Sequence, residues 1–558
     1  MVEREGLDGL QHPSHTLHHP TPTEAPHYAH PVLVTLYLIG TILCVVMAYL
    51  FDTSRRSTKG QSQAPPSDDL NQDSNVVKEL VREPGEWVRP LGSLELFMAV
   101  GGEYGSLNTV LGMWLSSREP IRPEEVRDAL SVIARKNHML QMCVVWRGTR
   151  PWFRRMEQVV VDFGVENKEV MNVYSAELHA PYDMSQGPLW RAKLVPQPEE
   201  SRDGLHKAAL LISVHHCITD GVSNVVLGRD FMRVLNASMT GAAHDVPFRA
   251  VIPAISDTLF RRYDWIYVFK YFWSKLFDTF VRNYNQKLYF KGILPQPETR
   301  LATTKIIMDE LSVDATQRLV QLCREAGVTV HACIVAIANI AFFRVAQQRA
   351  KDRIDSALIN TVNCINMRRY FPSENKESLG CHISLEETEM LIQTADFSNK
   401  DCFWALVKKI YDDLQDSLNV RRTPVKNSPL FRPSSLIFHI NYELTRRALQ
   451  NRTHSHMITT NMGNLQHLLP GKYGDGPVEV TRILRSVSSA LTGHGCTLTF
   501  QTFVGRFMIS LDYYSNKMTD DVAKQFFTNL NTYILNLTKY GCLNGASPEA
   551  ATWPSQTT

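Results

Sequence analysis

Residues 210–224 read LLISVHHCITDGVSN, and this stretch decides how the rest of the chain is read. Leu210 to Val214 form an apolar run of strand length, as in strands covered on both faces. The run ends on His215 and His216. Asp220-Gly221 then opens a helical stripe of Val222, Val225, Val226, Phe231, Val234 and Leu235. If extended geometry persists through the pair, His216 shares a face with Val214 and Ile212, and His215 with Ser213 and Leu211. Only one ring can then point into a given cavity, while the other packs. Glycine at 221 permits close approach of a ligand. Its N–H stands near a helix N-terminus, where developing negative charge is stabilised. A neutral imidazole, with a reference pKa of about 6.5, can take a proton at neutral pH, which makes one ring a candidate general base. Two structural histidines closing a strand are the competing reading. A zinc site is disfavoured: rings on opposite faces do not share one ion, and no cysteine pair completes a ligand set.

Outward from this unit, strands and helices alternate. RPEEVRDALSVIARKNHML (122–140) sets Val126, Ala129, Leu130, Ile133 and Ala134 at helical spacing behind an acidic first turn. Residues 207–216 and 356–365 read as strands, and 222–235, 313–324 and 327–347 as helices. TLTFQTF (497–503) and RFMISLDYY (506–514) alternate like paired strands, and TDDVAKQFFTNLNTYILNL (519–537) follows as an amphipathic helix with a threonine cap. The mixed pattern recurs on both sides of about residue 290, and 558 residues exceed one ordinary core. Two α/β lobes are expected, 85–290 and 291–542.

The ends are different. Residues 31–51, PVLVTLYLIGTILCVVMAYLF, carry no charge. At about 1.5 Å per residue they would span roughly 30 Å, the thickness of a bilayer core. A cleaved signal peptide fits less well, because the run starts late, is long and has no clear small-x-small exit. Arg55, Arg56 and Lys59 follow it, whereas Arg4 is the only basic residue before it. That bias predicts a single-pass membrane anchor with the long C-terminal part cytosolic, in an endomembrane such as the endoplasmic reticulum. Residues 1–30, with His12, His15, His18, His19, His27 and His30 among prolines, read as a disordered tail rather than a metal site. Residues 52–84 read as a flexible stalk and 543–558 as a tail. Residues 259–290 interleave thirteen aromatic residues with Arg and Lys. Two readings stand: a membrane-contacting segment or a crossover packed on the lobes. A net charge of +3, from 59 basic and 56 acidic residues, gives no support for nucleic-acid binding. The ten cysteines show no C-x-x-C and are expected as buried thiols. Sequons at Asn236, Asn451 and Asn536 would matter only in a lumenal chain.

His215-His216-Cys217-Ile218-Thr219-Asp220-Gly221 matches the H-H-x-x-x-D-G motif. With it the chain resembles the CoA-dependent acyltransferase superfamily, which includes chloramphenicol acetyltransferase, peptide-synthetase condensation domains, alcohol acetyltransferases, plant BAHD transferases and wax ester synthases. PYDMSQGPLWRAKLV (181–195) is similar to the family segment upstream of the motif, and EEVRDALSVIARKNHML to its early helix. GVTVHACIVAIANIAF (327–342), TVNCINMRRYFP followed by LGCHIS, and TTNMGNL (459–465) resemble second-lobe landmarks. The likeness covers about residues 85–540. No D-F-G-W-G pattern occurs, unlike the plant enzymes, and no carrier-protein module is recognised, so assembly-line peptide synthesis is not expected.

The resemblance implies two chloramphenicol-acetyltransferase-like lobes forming a pseudo-dimer with a central tunnel. It implies His216 as general base, His215 as packing, Asp220 as a structural brace paired with Arg368, and Gly221 as space. It implies no tightly bound cofactor and no metal, with acyl-CoA as co-substrate and an alcohol or amine as acceptor. Oxyanion donors would be protonated His216 and a nearby backbone N–H. The expected activity is acyl transfer to a hydroxyl of a lipid-like alcohol. Amide formation on an amine, or a non-catalytic relative that binds acyl-CoA or a partner, are the alternatives. A serine hydrolase is disfavoured, since no G-x-S-x-G occurs.

Overall fold

The computed structural model describes residues 85–148, 150–197, 204–255, 294, 302–418, 439 and 455–544. All lie in one compact unit, Leu80–Thr558. The expected tail 1–30, membrane span 31–51, stalk 52–84, aromatic segment 259–290 and most of the tail 543–558 fall outside the described residues.

The first half of the chain runs β1 (Trp87–Pro90), α1 (Ser93–Glu103), β2 (Asn108–Ser117), α2 (Pro123–Lys136), β3 (Met142–Arg147), β4 (Arg150–Arg155), β5 (Phe163–Val165), α3 (Val170–His179), β6 (Trp190–Gln197), β7 (His206–His215) and α4 (Gly221–Thr240). The second half runs β8 (Thr304–Glu310), α5 (Val313–Glu325), α6 (Val330–Arg349), β9 (Ser356–Asn366), β10 (Ile383–Gln393), α7 (Lys400–Ser417), β11 (Met457–Asn464), β12 (Val478–Val487), β13 (Cys496–Phe503), β14 (Arg506–Tyr514) and α8 (Asp520–Tyr540).

Among the described residues three sheets form, in the orders β1-β4-β3, β12-β2-β7-β6-β5 and β10-β9-β11-β13-β14-β8. In the five-stranded sheet β7 lies between β2 and β6, antiparallel to both. The apolar run 210–214 is buried on both faces, as its composition requires. Helices α2 and α4 pack together on one face, and Leu111, Met113, Leu210, Ile212, Val225 and Phe231 share that core. In the six-stranded sheet β11 runs parallel to both β9 and β13. Helix α6, apolar all round, packs against α7 and α8 and is the centre of this second core. By length and composition it could cross a membrane, but 78% of its apolar window is buried inside the fold. That is the environment of a core helix.

Two elements differ from the sequence reading. Helix α2 stops at Lys136, short of Leu140, because Asn137 turns extended and its amide donates to Ile133 O at 2.7 Å. Its backbone then bridges to Arg249, and His138–Gln141 form a separate turn. The larger difference is β12. It comes from the half of the chain expected to build the second lobe, yet it completes the first sheet against β2, with Arg485 opposite Leu111 and Val487 opposite Thr109.

Candidate active site

Strand β7 delivers His215 as its last residue, and the extended geometry ends there. His215 Nδ1 accepts the Cys217 N–H at 3.3 Å, which curls His216–Ile218 into a 3₁₀ turn. The strand alternation read from the sequence therefore stops one residue early, yet the two rings still have different surroundings. His215 is fully buried, edge-on to the Tyr182 ring at 5.9 Å. It packs against Gly102 of α1, where a Cβ would collide with its Nε2 and lie 3.0 Å from Cε1. Burial pushes its pKa down to about 3, with the neighbouring His216 adding to the fall.

His216 lines a small cleft of about 70 Å³ that opens to solvent. Phe97, Met98, Leu107, Ile383, Leu385 and Val487 make its walls apolar, and Arg485, Ser489, Thr492 and His494 add polar atoms. His216 Nδ1 stands 2.9 Å from Thr219 O. A carbonyl only accepts, so Nδ1 carries the hydrogen and Nε2 keeps the lone pair. No hydrogen-bond partner holds Nε2 among the described residues. Burial pushes the ring down to about 4, helped by the Arg485 charge and opposed by Asp220. The ring is thus neutral at physiological pH, in one tautomer, with its basic nitrogen unclaimed.

Asp220 caps α4: its Oδ1 accepts the Ser223 N–H at 2.8 Å. Oδ2 accepts the His382 N–H at 2.8 Å and Arg368 Nη1 at 2.5 Å. Arg368 Nη2 donates to Ser223 Oγ at 2.8 Å and to Ser378 O at 3.0 Å. Burial alone would raise the Asp220 carboxyl, but Arg368 and the added donors hold it well below the usual carboxylate range. The carboxylate is engaged on both oxygens and is not an orienting partner for His216. Arg368 reaches this point because β9 ends in a turn, Met367–Tyr370, in which Asn366 accepts the Arg368 N–H at 3.0 Å. LGCHIS brings the Gly380 and His382 backbone alongside.

Gly221 starts α4. A Cβ there would land on Met462 Sδ, 2.8 Å from Met462 Cε and 3.4 Å from Arg485 Cζ. The space left by the glycine is filled by a side chain of β11 and by the guanidinium of β12. Cys217 and Cys381 lie beside the two histidines, and burial pushes both thiols far up, so neither is a thiolate nucleophile. No group of three His, Cys, Asp or Glu side chains is placed to hold a metal among the described residues.

Sequence reasoning missed Arg485, Met462, Ser223 and His382. The only sequence signal for Arg485 is a charge inside the apolar run ILRSV, the half of β12 that is buried throughout and has no structural use for one.

The comparisons fit this architecture. A family model described as alcohol acetyltransferase matches residues 148–469. A segment of 138 residues is 25% identical to phosphinothricin tripeptide synthetase PhsC of Streptomyces viridochromogenes, covering 23% of this chain and only 12% of that protein. Among solved structures, the trichothecene 15-O-acetyltransferase of Fusarium sporotrichioides aligns with a TM-score of 0.57 at 13% identity, over 80% of this chain and 95% of that one. The condensation domain of the monacolin K polyketide synthase MokA aligns at 0.54 and 11% identity, over 83% and 100%. Polyketide synthase associated protein 5 of Mycobacterium tuberculosis aligns at 0.53 and 15%, over 82% and 99%. These likenesses establish a mixed α/β fold of the condensation-domain and acetyltransferase kind.

Proposed function

The chain belongs to the alcohol acetyltransferase family, and on that footing we propose that it moves an acyl group from acyl-CoA to the hydroxyl of an apolar, lipid-like alcohol, with His216 as general base. The observation that carries the reading is the state of one ring. His216 is held by Thr219 O through Nδ1 and keeps Nε2 free at an apolar cleft. In this reading the acceptor hydroxyl gives its proton to Nε2 while its oxygen bonds to the acyl carbon. The carbonyl π pair moves onto the carbonyl oxygen. Collapse restores the carbonyl and expels the CoA thiolate, which takes the proton back from the imidazolium. No covalent acyl-enzyme is needed, in keeping with two thiols kept protonated by burial. On this reading the cleft would be part of the central tunnel that the family resemblance implies. The apolar walls suit an aliphatic acceptor, and residues 31–51 would hold the enzyme at the bilayer that dissolves it.

The test mixes purified full-length protein with acyl-CoA and a panel of lipid alcohols and amines, follows free thiol, and identifies products by mass spectrometry. The expected product is an ester, and His216→Ala lowers its rate by about 10²–10⁴-fold. Thiol release from His216→Ala at the wild-type rate would sink the base assignment. Amide products alone would move the enzyme to the condensation chemistry of its structural neighbours.

A further inference from the structure

Arg485 is 5% exposed and lines the same cleft as His216. It donates no hydrogen bond and forms no ion pair among the described residues, and its Nε is buried without a partner. The two nearby carboxylates are committed elsewhere. Asp220 is taken by Arg368 and two backbone N–H groups. Asp512 accepts from Ser486 Oγ at 2.9 Å and from Val487 N at 3.1 Å. The other buried arginines around the site are paired: Arg368 with Asp220, Arg191 with Glu177, and Arg249 with Asp230. A buried guanidinium that no carboxylate or carbonyl bonds is disfavoured even with carboxylates nearby, so folding alone would not retain one here.

Strand geometry aims it. Arg485 and Val487 alternate onto the cleft side of β12, while Ser486 faces Asp512. Its Cζ stands 3.4 Å from where a Gly221 Cβ would be, beside the turn that carries His216. An acyl thioester and a neutral alcohol bring no charge into an apolar cleft. The first negative charge to arise there is on the acyl carbonyl oxygen.

We propose that Arg485 is a catalytic residue whose guanidinium pairs with the oxyanion formed when the acceptor oxygen adds to the acyl carbon. This rests on acyl transfer at His216. The acceptor proton goes to His216 Nε2, the carbonyl π pair becomes the oxyanion lone pair held by Arg485, and collapse returns that pair as the thiolate leaves. A preorganised cation in a water-poor cleft is effective here because it meets charge that exists only in the transition state.

The experiment compares wild type, His216→Ala and Arg485→Gln with one acyl-CoA and two alcohol series, neutral and carboxylate-bearing, and records melting temperature beside kcat and KM. Arg485→Gln is expected to lower kcat by on the order of 100-fold with neutral acceptors, leave KM in place, and melt no lower than wild type. Lower activity in a protein of equal or greater stability is a combination that a structural arginine does not produce. A kcat within a few-fold of wild type overturns the proposal. So does a KM increase confined to carboxylate-bearing acceptors, which would assign the arginine to a ground-state anion, or a melting temperature that falls with the activity. Turnover retained in His216→Ala overturns the reading of the base instead, whatever Arg485→Gln does. No turnover by wild type with any acceptor overturns both.

Discussion

Asp220 holds three separate jobs in one carboxylate: N-cap of α4, counter-ion of Arg368, and acceptor for the His382 N–H. Removing it as Asp220→Ala leaves a buried guanidinium with no carboxylate and should cost about 3–5 kcal/mol. Urea unfolding of the variant measures this. The double variant Asp220→Ala/Arg368→Met should be more stable than Asp220→Ala alone, since the stranded charge is gone; equal or lower stability would refute the brace. At this scale the sequence was informative about the turn. An apolar run, two rings and Asp-Gly announce a strand passing into a helix, and the family likeness supplied Arg368 as a partner. Which ring faces the cleft was left open by the alternation, which ends at His215, and only the family likeness named His216. Arg485 was not legible, because a missing counter-charge is a property of neighbours brought together by folding.

At the scale of elements, the site is a junction of three strand ends and one helix start. β7 brings the histidines, β9 leads into the turn that carries Arg368, and β12 carries Arg485 past the N-terminus of α4. Gly221 is the close approach that lets this junction form, with Met462 of β11 filling the space beside it. Gly221→Ala is expected to destabilise by about 1–3 kcal/mol through overpacking. Pairing it with Met462→Ala should return part of the loss in a thermal melt; a double variant worse than the sum of the singles would mean that the glycine serves some other purpose. Asn236 shows a different use of a short motif. It stands in a sequon, but it is buried, with its amide donating to Val478 O at 3.1 Å and accepting Val478 N–H at 2.9 Å. The side chain acts as a strand partner for the start of β12. Helices α2, α4, α5, α6 and α8 and strands β7, β9, β13 and β14 were readable from periodicity, whereas the pairing of β12 with β2 was not, since either sheet would accept its apolar faces.

For the molecule as a whole, burial of titratable rings links folding to acidity. Burial pushes His215 to about 3, and His216, His331, His382 and His456 each to about 4. An unfolded histidine has a pKa of about 6.5, so between that value and about 4 the unfolded chain binds more protons than the native one. The histidine contribution to stability should therefore be complete above about pH 6.5 and be lost as pH drops through that window, by about 1 kcal/mol per pH unit for each ring where the difference is fullest, with Asp512, raised by burial to about 7, offsetting about one ring. Chemical denaturation at pH 7, 6 and 5 measures the slope; a flat profile would show that these rings take up protons in the native state as readily as in the unfolded chain. β12 adds a constraint of another kind. The first sheet carries the histidine turn, but its edge at β2 stays open until Val478–Val487 have been made. A ribosome delivers those residues long after β2, so the nascent chain passes through a period with an unpaired strand edge. Chaperone demand during synthesis should concentrate in that interval, and a truncation before Val478 would lose the site and gain a sticky edge together.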